Sequence, residues 1–385
     1  MLLSMGLLSV KLDCQLTHNN NNGVSMSAFS RGRFCSLFTL LIALCLSSNS
    51  WADRLDTAAQ AGPRAVQALL LDIVDTGERL VAVGEQGIIL LSDNQGKLWR
   101  TASVPVRVML TAVQFTDVNR GWAVGHDGAV LKTEDGGQHW QRVLTGKQIN
   151  QLRVVQLTQA LADLPAHSDE DQREELEYAL DDARQAEEDG PSTPLLDVWF
   201  KDRDTGFVLG AYGLLLKTTD GGVSWRSLSH HTENIDNFHL NSFLATAEGR
   251  LLIAGEAGVL LSSDDQGESW QALPSPYEGS FFAMAQSDQL YLMGLRGNLF
   301  RSRTGDHWLP MPLSQHRSLT GAIVDGEQLW LLGQGGLVLE RTPDGFSSLK
   351  SPARRSFSAG VKVDAHLVLV GEGGVTRMTL AEVKP

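Results

Sequence analysis

Cysteine is nearly absent from this chain: three occur among 385 residues, at Cys14, Cys35 and Cys45. We interpret that end of the chain as an export signal, which leaves the mature chain without disulfides or thiol chemistry. Basic residues are also scarce relative to acidic ones, 32 against 45, giving a formal net charge of −13. This balance argues against nucleic acid or an anionic membrane surface as the main partner.

Long apolar runs are missing as well. Arg31 and Arg33 precede a run of 13 residues, 34–46, which is followed by Ser50-Trp51-Ala52. A membrane anchor would need roughly 20 apolar residues, and Leu44 is bulkier than the small residue expected before a lipidated Cys45. The pattern predicts a signal peptide cleaved after Ala52 and a periplasmic mature chain with no direct membrane insertion. Residues 1–52 are then an upstream extension plus signal peptide, with Met1 and Met26 both open as the start.

Glycine, in contrast, is plentiful and regularly spaced. Seven Gly-x-x-Gly stretches begin 38–45 residues apart, except for one interval of 85 residues, at Gly84, Gly125, Gly210, Gly255, Gly294, Gly333 and Gly371. Each interval holds four short apolar segments separated by turn residues, which is typical of a four-stranded antiparallel meander. Units of about 40 residues have the size of propeller blades. We therefore predict an all-β fold: a seven-bladed β-propeller of four-stranded antiparallel blades over residues 53–385.

The seventh repeat has room for only three strands. Propellers often close their ring with a strand from the other end of the chain, which leaves no open edge. Residues 56–67 are the expected donor.

The long interval contains an insertion, residues 146–194, between blades 2 and 3. Apolar residues follow helical spacing over 147–164, Pro165 interrupts them, and Ser168 opens a second helical segment with a capping-box pattern. An antiparallel helical hairpin is predicted. Residues 147–189 contain twelve Asp and Glu but four Lys and Arg, a formal charge of −8, so most of the acidity lies in this insertion.

A second motif, Ser/Thr-x-Asp/Asn-x-Gly-x-x-Trp, follows four of the glycine turns. Its short polar side chains can fix a tight turn and its Trp can pack beside the sheet. We assign it a structural role, carried by Asn94, Trp99, Asp135, Trp140, Asp220, Trp225, Asp265 and Trp270. A fifth copy keeps Gly305 and Trp308 but has Arg303 in place of Asp.

Meander topology places the glycine turns and the insertion on one face and these boxes on the other. The residues between the glycines vary, as in a recognition surface, although seven solvated turns without a ligand would look the same. The candidate binding residues on this rim are Glu85, His126, Asp127, Tyr212, Glu256, Arg296 and Glu372.

Enzymatic alternatives lack their residues. A sialidase needs an arginine cluster and a tyrosine nucleophile with a carboxylate partner, yet the chain has four tyrosines and no Arg-Ile-Pro signature. His230, His231 and His239 show no metal-binding spacing, and no Gly-Lys-Ser/Thr follows the glycine turns. We predict no catalytic residues, no metal and no cofactor.

The boxes resemble the BNR or Asp-box repeat of sialidases and other propellers. The stretch 121–140, with Gly-Trp-Ala-Val-Gly-His-Asp-Gly before its box, is more similar to the photosystem II stability/assembly-factor family. The resemblance implies a non-enzymatic scaffold that assists a membrane or envelope complex. The acidic insertion departs from the short blades of photosynthetic members and argues against a reaction-centre client. Secreted relatives also occur in non-photosynthetic bacteria, and there the resemblance implies an envelope transporter as one candidate partner. The alternative is a carbohydrate-active or carbohydrate-binding sialidase-like propeller.

Overall fold

The computed structural model describes residues 53–60, 62–165 and 167–380, and the predicted export signal lies outside them. The described residues form six four-stranded sheets and one three-stranded sheet, all antiparallel meanders in chain order. The first three blades comprise strands β1–β4 (Leu70–Asp75, Leu80–Gly84, Ile89–Ser92, Arg100–Thr101), β5–β8 (Leu110–Phe115, Gly121–Gly125, Val130–Thr133, Gln141–Leu144) and β9–β12 (Leu195–Phe200, Gly206–Gly210, Leu215–Thr218, Arg226–Ser227).

The other four blades follow directly. Their strands are β13–β16 (Leu240–Ala245, Leu251–Gly255, Leu260–Ser263, Gln271–Ala272), β17–β20 (Phe281–Gln286, Leu290–Gly294, Leu299–Ser302, Leu309–Pro310), β21–β24 (Leu319–Asp325, Gln328–Gly333, Leu337–Thr342, Gly345–Ser348) and β25–β27 (Phe357–Val363, His366–Gly371, Gly374–Thr379). The first strand of every blade contacts the first strands of both neighbours, including β25 against β1. The predicted seven-bladed propeller is confirmed.

The hydrophobic core consists of layers between neighbouring blades. Seven buried clusters of the described chain each combine residues of two adjacent blades. Between blades 2 and 3, for example, the rings of Trp122 and Phe200 stack at 3.7 Å. Since an isolated blade would leave two apolar faces exposed, blades are stable only as a ring.

Every glycine turn packs its backbone against the chain that enters its own blade. The residue after the first glycine donates its N–H to the carbonyl just before the first strand, at 2.8–3.1 Å, in all seven blades. In blade 2, for instance, His126 donates to Met109 at 2.8 Å. A Cβ on any of the seven first glycines would lie within 3.0 Å of that carbonyl, which explains the requirement for glycine.

The second glycine of each turn meets the segment that leads to the next blade. In blade 1 a Cβ on Gly87 would collide with the carbonyl of Val106, and in blade 7 a Cβ on Gly374 would collide with the carbonyl of Val66. Residues near Val66 therefore contact blade 7 in the same way that an inter-blade connection contacts each of the other blades. This segment before blade 1 closes the ring by packing and not by adding a strand.

The predicted strand donation was wrong. Residues 56–67 contain turns and a short 3₁₀ segment, Ala65–Gln67, and β27 has no further partner strand in the described chain. The apolar layer between blades 7 and 1, which includes Leu70, Leu90, Val368 and Val370, joins them instead.

The insertion is a helical hairpin, as predicted, with α1 over Gly146–Asp163 and α2 over Glu170–Asp189. Thr145 caps α1 by accepting from Gln148 N–H. Asp169, rather than the predicted Ser168, caps α2. Among the described residues, no helix has both the length and the apolar character to cross a membrane.

Inner-strand side chains also tie the blades together. Asp72 accepts from Val113 N–H of blade 2 at 2.8 Å, and Asp197 accepts from Phe243 N–H of blade 4 at 2.7 Å. Both residues are half-buried in the ring of first strands. Burial raises the pKa of Asp72 to about 7 and that of Asp197 to about 6.

The glycine-turn contact yields a stability prediction. Gly125→Ala should lower the free energy of unfolding by at least about 2 kcal/mol, because its Cβ must displace the Met109 carbonyl. Gly62→Ala is the matched control, since nothing lies within 4 Å of its Cβ. Urea unfolding of both variants measures the difference, and equal midpoints would contradict the role of the contact.

The inner carboxylates yield a pH prediction. Their pKa values lie above 3.8, the usual value of an Asp side chain. The folded state therefore holds more protons than the unfolded state, and the stabilisation from these groups falls as pH rises towards 8. Between pH 5 and 8 the native chain should lose about 2–3 kcal/mol of unfolding free energy relative to Asp72→Asn, which cannot ionise. Urea unfolding at both pH values tests this, and a constant difference between the two proteins would refute it.

Candidate protein-binding face

Blade topology separates the turns onto two faces. The glycine turns join second and third strands, the blade connections run on the same side, and the hairpin interrupts one of these connections. We call this side the upper face. The Asp boxes and the turns between first and second strands form the lower face. A Cβ on Gly128 would touch Gly146 at the start of α1, which shows that the hairpin rises beside a glycine turn.

On the lower face, each Asp box is a closed hydrogen-bond network. Thr133 donates its hydroxyl to Asp135 at 3.0 Å and accepts from Gly137 N–H at 3.0 Å, and Asp135 also accepts from His139 N–H. Trp140 donates from Nε1 to the Gly137 carbonyl at 2.9 Å, and its ring packs towards blade 1. The polar groups of the box are consumed by the turn itself.

The boxes around Asn94, Asp220 and Asp265 repeat the side-chain contacts of Thr133 and Asp135. Trp99 and Trp225 repeat the Nε1 bond to a glycine carbonyl, whereas Trp270 does not. The Ser224 hydroxyl and N–H hold the pKa of Asp220 below its usual value, and Ser269 acts likewise on Asp265. Trp99, Trp225 and Trp270 lie in the layers towards the preceding blade. These residues stabilise turns and blade contacts.

On the upper face, three of the candidate rim residues bind the protein's own backbone. Glu85 accepts from Leu69 N–H at 2.9 Å. Glu256 and Glu372 accept from His239 N–H and Ser356 N–H at 3.3 and 3.1 Å. Each carboxylate thus satisfies the N–H of a residue whose carbonyl already bonds to the same glycine turn.

The other candidate rim residues differ in how exposed their side chains are to a binding partner. Asp127 is buried and forms an ion pair with Arg54 at 2.9 Å. Burial raises its pKa, against the opposing effect of Arg54. His126 beside it is half-buried, whereas Arg296 is exposed. Tyr212 is 64% exposed and rests its ring edge-on at 5.1 Å from His239.

Sequence reasoning missed four exposed upper-face arginines in the blade connections, Arg107, Arg317, Arg354 and Arg355. We define the arginine set as these four residues together with the predicted rim residue Arg296. Arg317 reaches the Gly335 carbonyl of the next glycine turn at 3.3 Å. Topology alone could have identified them, because connections share a face with the glycine turns. The upper face therefore carries arginines on one side and the acidic hairpin on the other.

The hairpin is fixed to the propeller. In α1, Ile149 is 1% exposed within the layer between blades 2 and 3. Gln156 accepts from Ser227 N–H of the outer strand β12 at 2.9 Å. Asn150 donates to the Ala186 carbonyl at 2.6 Å, which joins the two helices. Leu157, Leu180 and Ala183 form their shared core. The hairpin is thus a firm part of the upper face.

Comparison with known sequences confirms the resemblance seen in the repeats. The family model described as photosynthesis system II assembly factor YCF48 matches residues 66–159 and 185–278. The chloroplastic photosystem II stability/assembly factor HCF136 of Cyanidioschyzon merolae is 32% identical over 89 residues, 22% of this chain and 20% of that protein. The photosystem II assembly lipoprotein Ycf48 of Prochlorococcus marinus is 45% identical over 47 residues, 12% and 14% of the two chains. The matches span about a fifth or less of each of these relatives.

Solved structures agree at the level of the fold. A structure described as YCF48 bound to D1 peptide aligns with a TM-score of 0.58 at 14% identity and covers 84% of this chain and 96% of its own. YCF48 from Cyanidioschyzon merolae aligns with a TM-score of 0.55 at 14% identity, covering 85% and 99%.

The architecture, the glycine turns with their Asp boxes and the matched residues lead to one conclusion. The chain is a seven-bladed β-propeller whose repeats are similar to those of the photosystem II assembly-factor family.

Proposed function

We propose that this chain is a non-enzymatic periplasmic scaffold that binds a membrane or envelope protein complex through its upper face and assists its assembly or stability. The observation that carries the proposal is the contrast between an invariant turn backbone and the exposed, variable side chains that it presents, such as Tyr212 and Arg296. The similar proteins are photosystem II assembly factors, one of them a lipoprotein, which supports an envelope location and a membrane client. An envelope transporter remains a candidate client.

The inner ring supports binding rather than catalysis. A sialidase-like site needs arginines and a tyrosine around the axis, whereas none of the seven described first strands contains either residue. Tyr291 lies instead between blades 5 and 6, where it donates to Asp288 at 3.1 Å. Burial raises its pKa to about 12, which opposes a role as a nucleophile.

A carbohydrate-binding role is the second candidate function, and one observation favours it. A cavity of about 530 Å³ opens on the lower face between blades 3 and 4 and is lined partly by Trp199 and Phe207, and aromatic rings are common platforms for apolar ligand faces. Its buried cation, Lys217, is already bonded to Glu268 at 2.6 Å and to the Gln266 carbonyl at 2.8 Å. A glycan array with Trp199→Ala as control tests this candidate.

The scaffold proposal predicts capture that depends on the upper face. The mature chain from Asp53, immobilised and exposed to detergent-solubilised envelope, should retain a membrane protein complex. Tyr212→Ala combined with Arg296→Glu should reduce the retained complex at least about tenfold, because both side chains are exposed on that face. Ala257 adopts the same left-handed backbone as Tyr212, φ 50° against 55°, so alanine fits there.

The matched control makes the same changes on the lower face. Leu98→Ala combined with Arg203→Glu alters two exposed side chains of similar kind and should leave capture unchanged. Loss of capture in the control alone, or capture that neither double variant reduces, would contradict an upper-face scaffold.

A further inference from the structure

A groove runs between the second helix of the hairpin and the segment 229–237 that links blades 3 and 4. Its volume is about 540 Å³, and its walls include Leu164, Glu175, Tyr178, His231 and Ile235. One wall is helix α2, and the other is a short connection of the propeller body. The groove therefore exists only because this chain carries the insertion.

The groove presents unusually exposed apolar side chains. Ile235 is 88% exposed on the loop wall and Tyr178 is 74% exposed on the helix wall. Leu164 and Leu176 are half-buried between them. Large apolar side chains that face each other across a concave surface are typical of a binding site for another protein segment.

The carboxylates Glu175 and Asp182 line the groove, and among the described residues no Lys or Arg does. The hairpin carries a formal charge of −8, and Glu175 stands exposed on the helix wall. The negative charge of Asp182 is partly compensated, because this residue lies near the guanidinium of Arg153. On the loop wall, burial lowers the pKa of His230 to about 4, helped by His231, Arg153 and Arg226. At neutral pH the histidine is uncharged and does not neutralise the acidic helix.

We propose that this groove binds a basic segment of the partner protein, with apolar side chains at its centre and Lys or Arg at its flanks. The apolar residues would cover Tyr178 and Ile235, and the cations would lie against Glu175 and the acidic helix. The proposal deepens the proposed scaffold function and rests on it, since it assigns the chemistry of the recognised segment. Attraction between the acidic helix and the cations of the segment should speed their association and fix the register of the segment in the groove.

The test uses the mature chain and a defined probe. A fluorescein-labelled helical peptide of about 16 residues, with Leu on one face and Lys elsewhere, is titrated by anisotropy against a Glu-for-Lys counterpart. The Lys peptide should bind and the Glu peptide should not. Gln172→Lys combined with Glu175→Lys should weaken binding at least about tenfold. Glu177→Lys combined with Gln185→Lys is the matched control, because it makes the same charge change on α2 outside the groove and should alter the affinity less than about threefold.

A second pair of variants tests the apolar contact. Ile235→Ser should weaken binding at least about fivefold, whereas Val223→Ser, at an equally exposed site on a lower-face turn, should not. Equal losses of affinity in the groove variants and their controls, or no binding of the Lys peptide to the native chain, would contradict the proposal that the groove is a binding site. Envelope capture that survives all groove variants but is lost in Tyr212→Ala with Arg296→Glu would also overturn it, while leaving the scaffold function intact.

Discussion

One backbone hydrogen bond recurs in every blade, and the rest of the propeller depends on it. The N–H after the first glycine of each turn bonds the carbonyl that enters the same blade, and only a glycine allows that approach. The bond fixes where each blade begins relative to its own second and third strands. It therefore positions the blade connections, and with them the side chains of the upper face. In blade 7, residues near Val66 supply the packing that the connection to the next blade provides in the other blades.

This constraint separates the two faces by function. On the lower face the Asp boxes use their own polar groups internally, as in the bonds from Thr133 to Asp135 and from Trp140 to Gly137. On the upper face the backbone is satisfied at the turn, so side chains at the tips, such as Tyr212 and Arg296, are not needed for its hydrogen bonds. The hairpin extends that surface because Ile149 and Gln156 hold it against the propeller.

Much of the fold could be predicted from the sequence because it repeats: the spacing of Gly84, Gly125 and their equivalents identified blades, faces and the inserted hairpin. Tertiary contacts decided what the repeat could not. Nothing local distinguishes Glu85, which binds Leu69 N–H, from an exposed rim carboxylate. The ring closure was missed because packing against Gly374 leaves no strand pattern in residues 56–67. The groove beside Ile235 joins segments that are distant in sequence.

The most direct test of the central claim is hydrogen exchange, measured by mass spectrometry on the mature chain alone and on the chain bound to its captured envelope complex. Exchange should be slow at the seven turn N–H groups in both samples, because each is bonded within the fold. Binding should slow exchange further in 146–190 and in the upper-face connections. Slowing confined to the Asp-box turns 92–99, 133–140, 218–225 and 263–270 would contradict the account, because it would place the partner on the lower face.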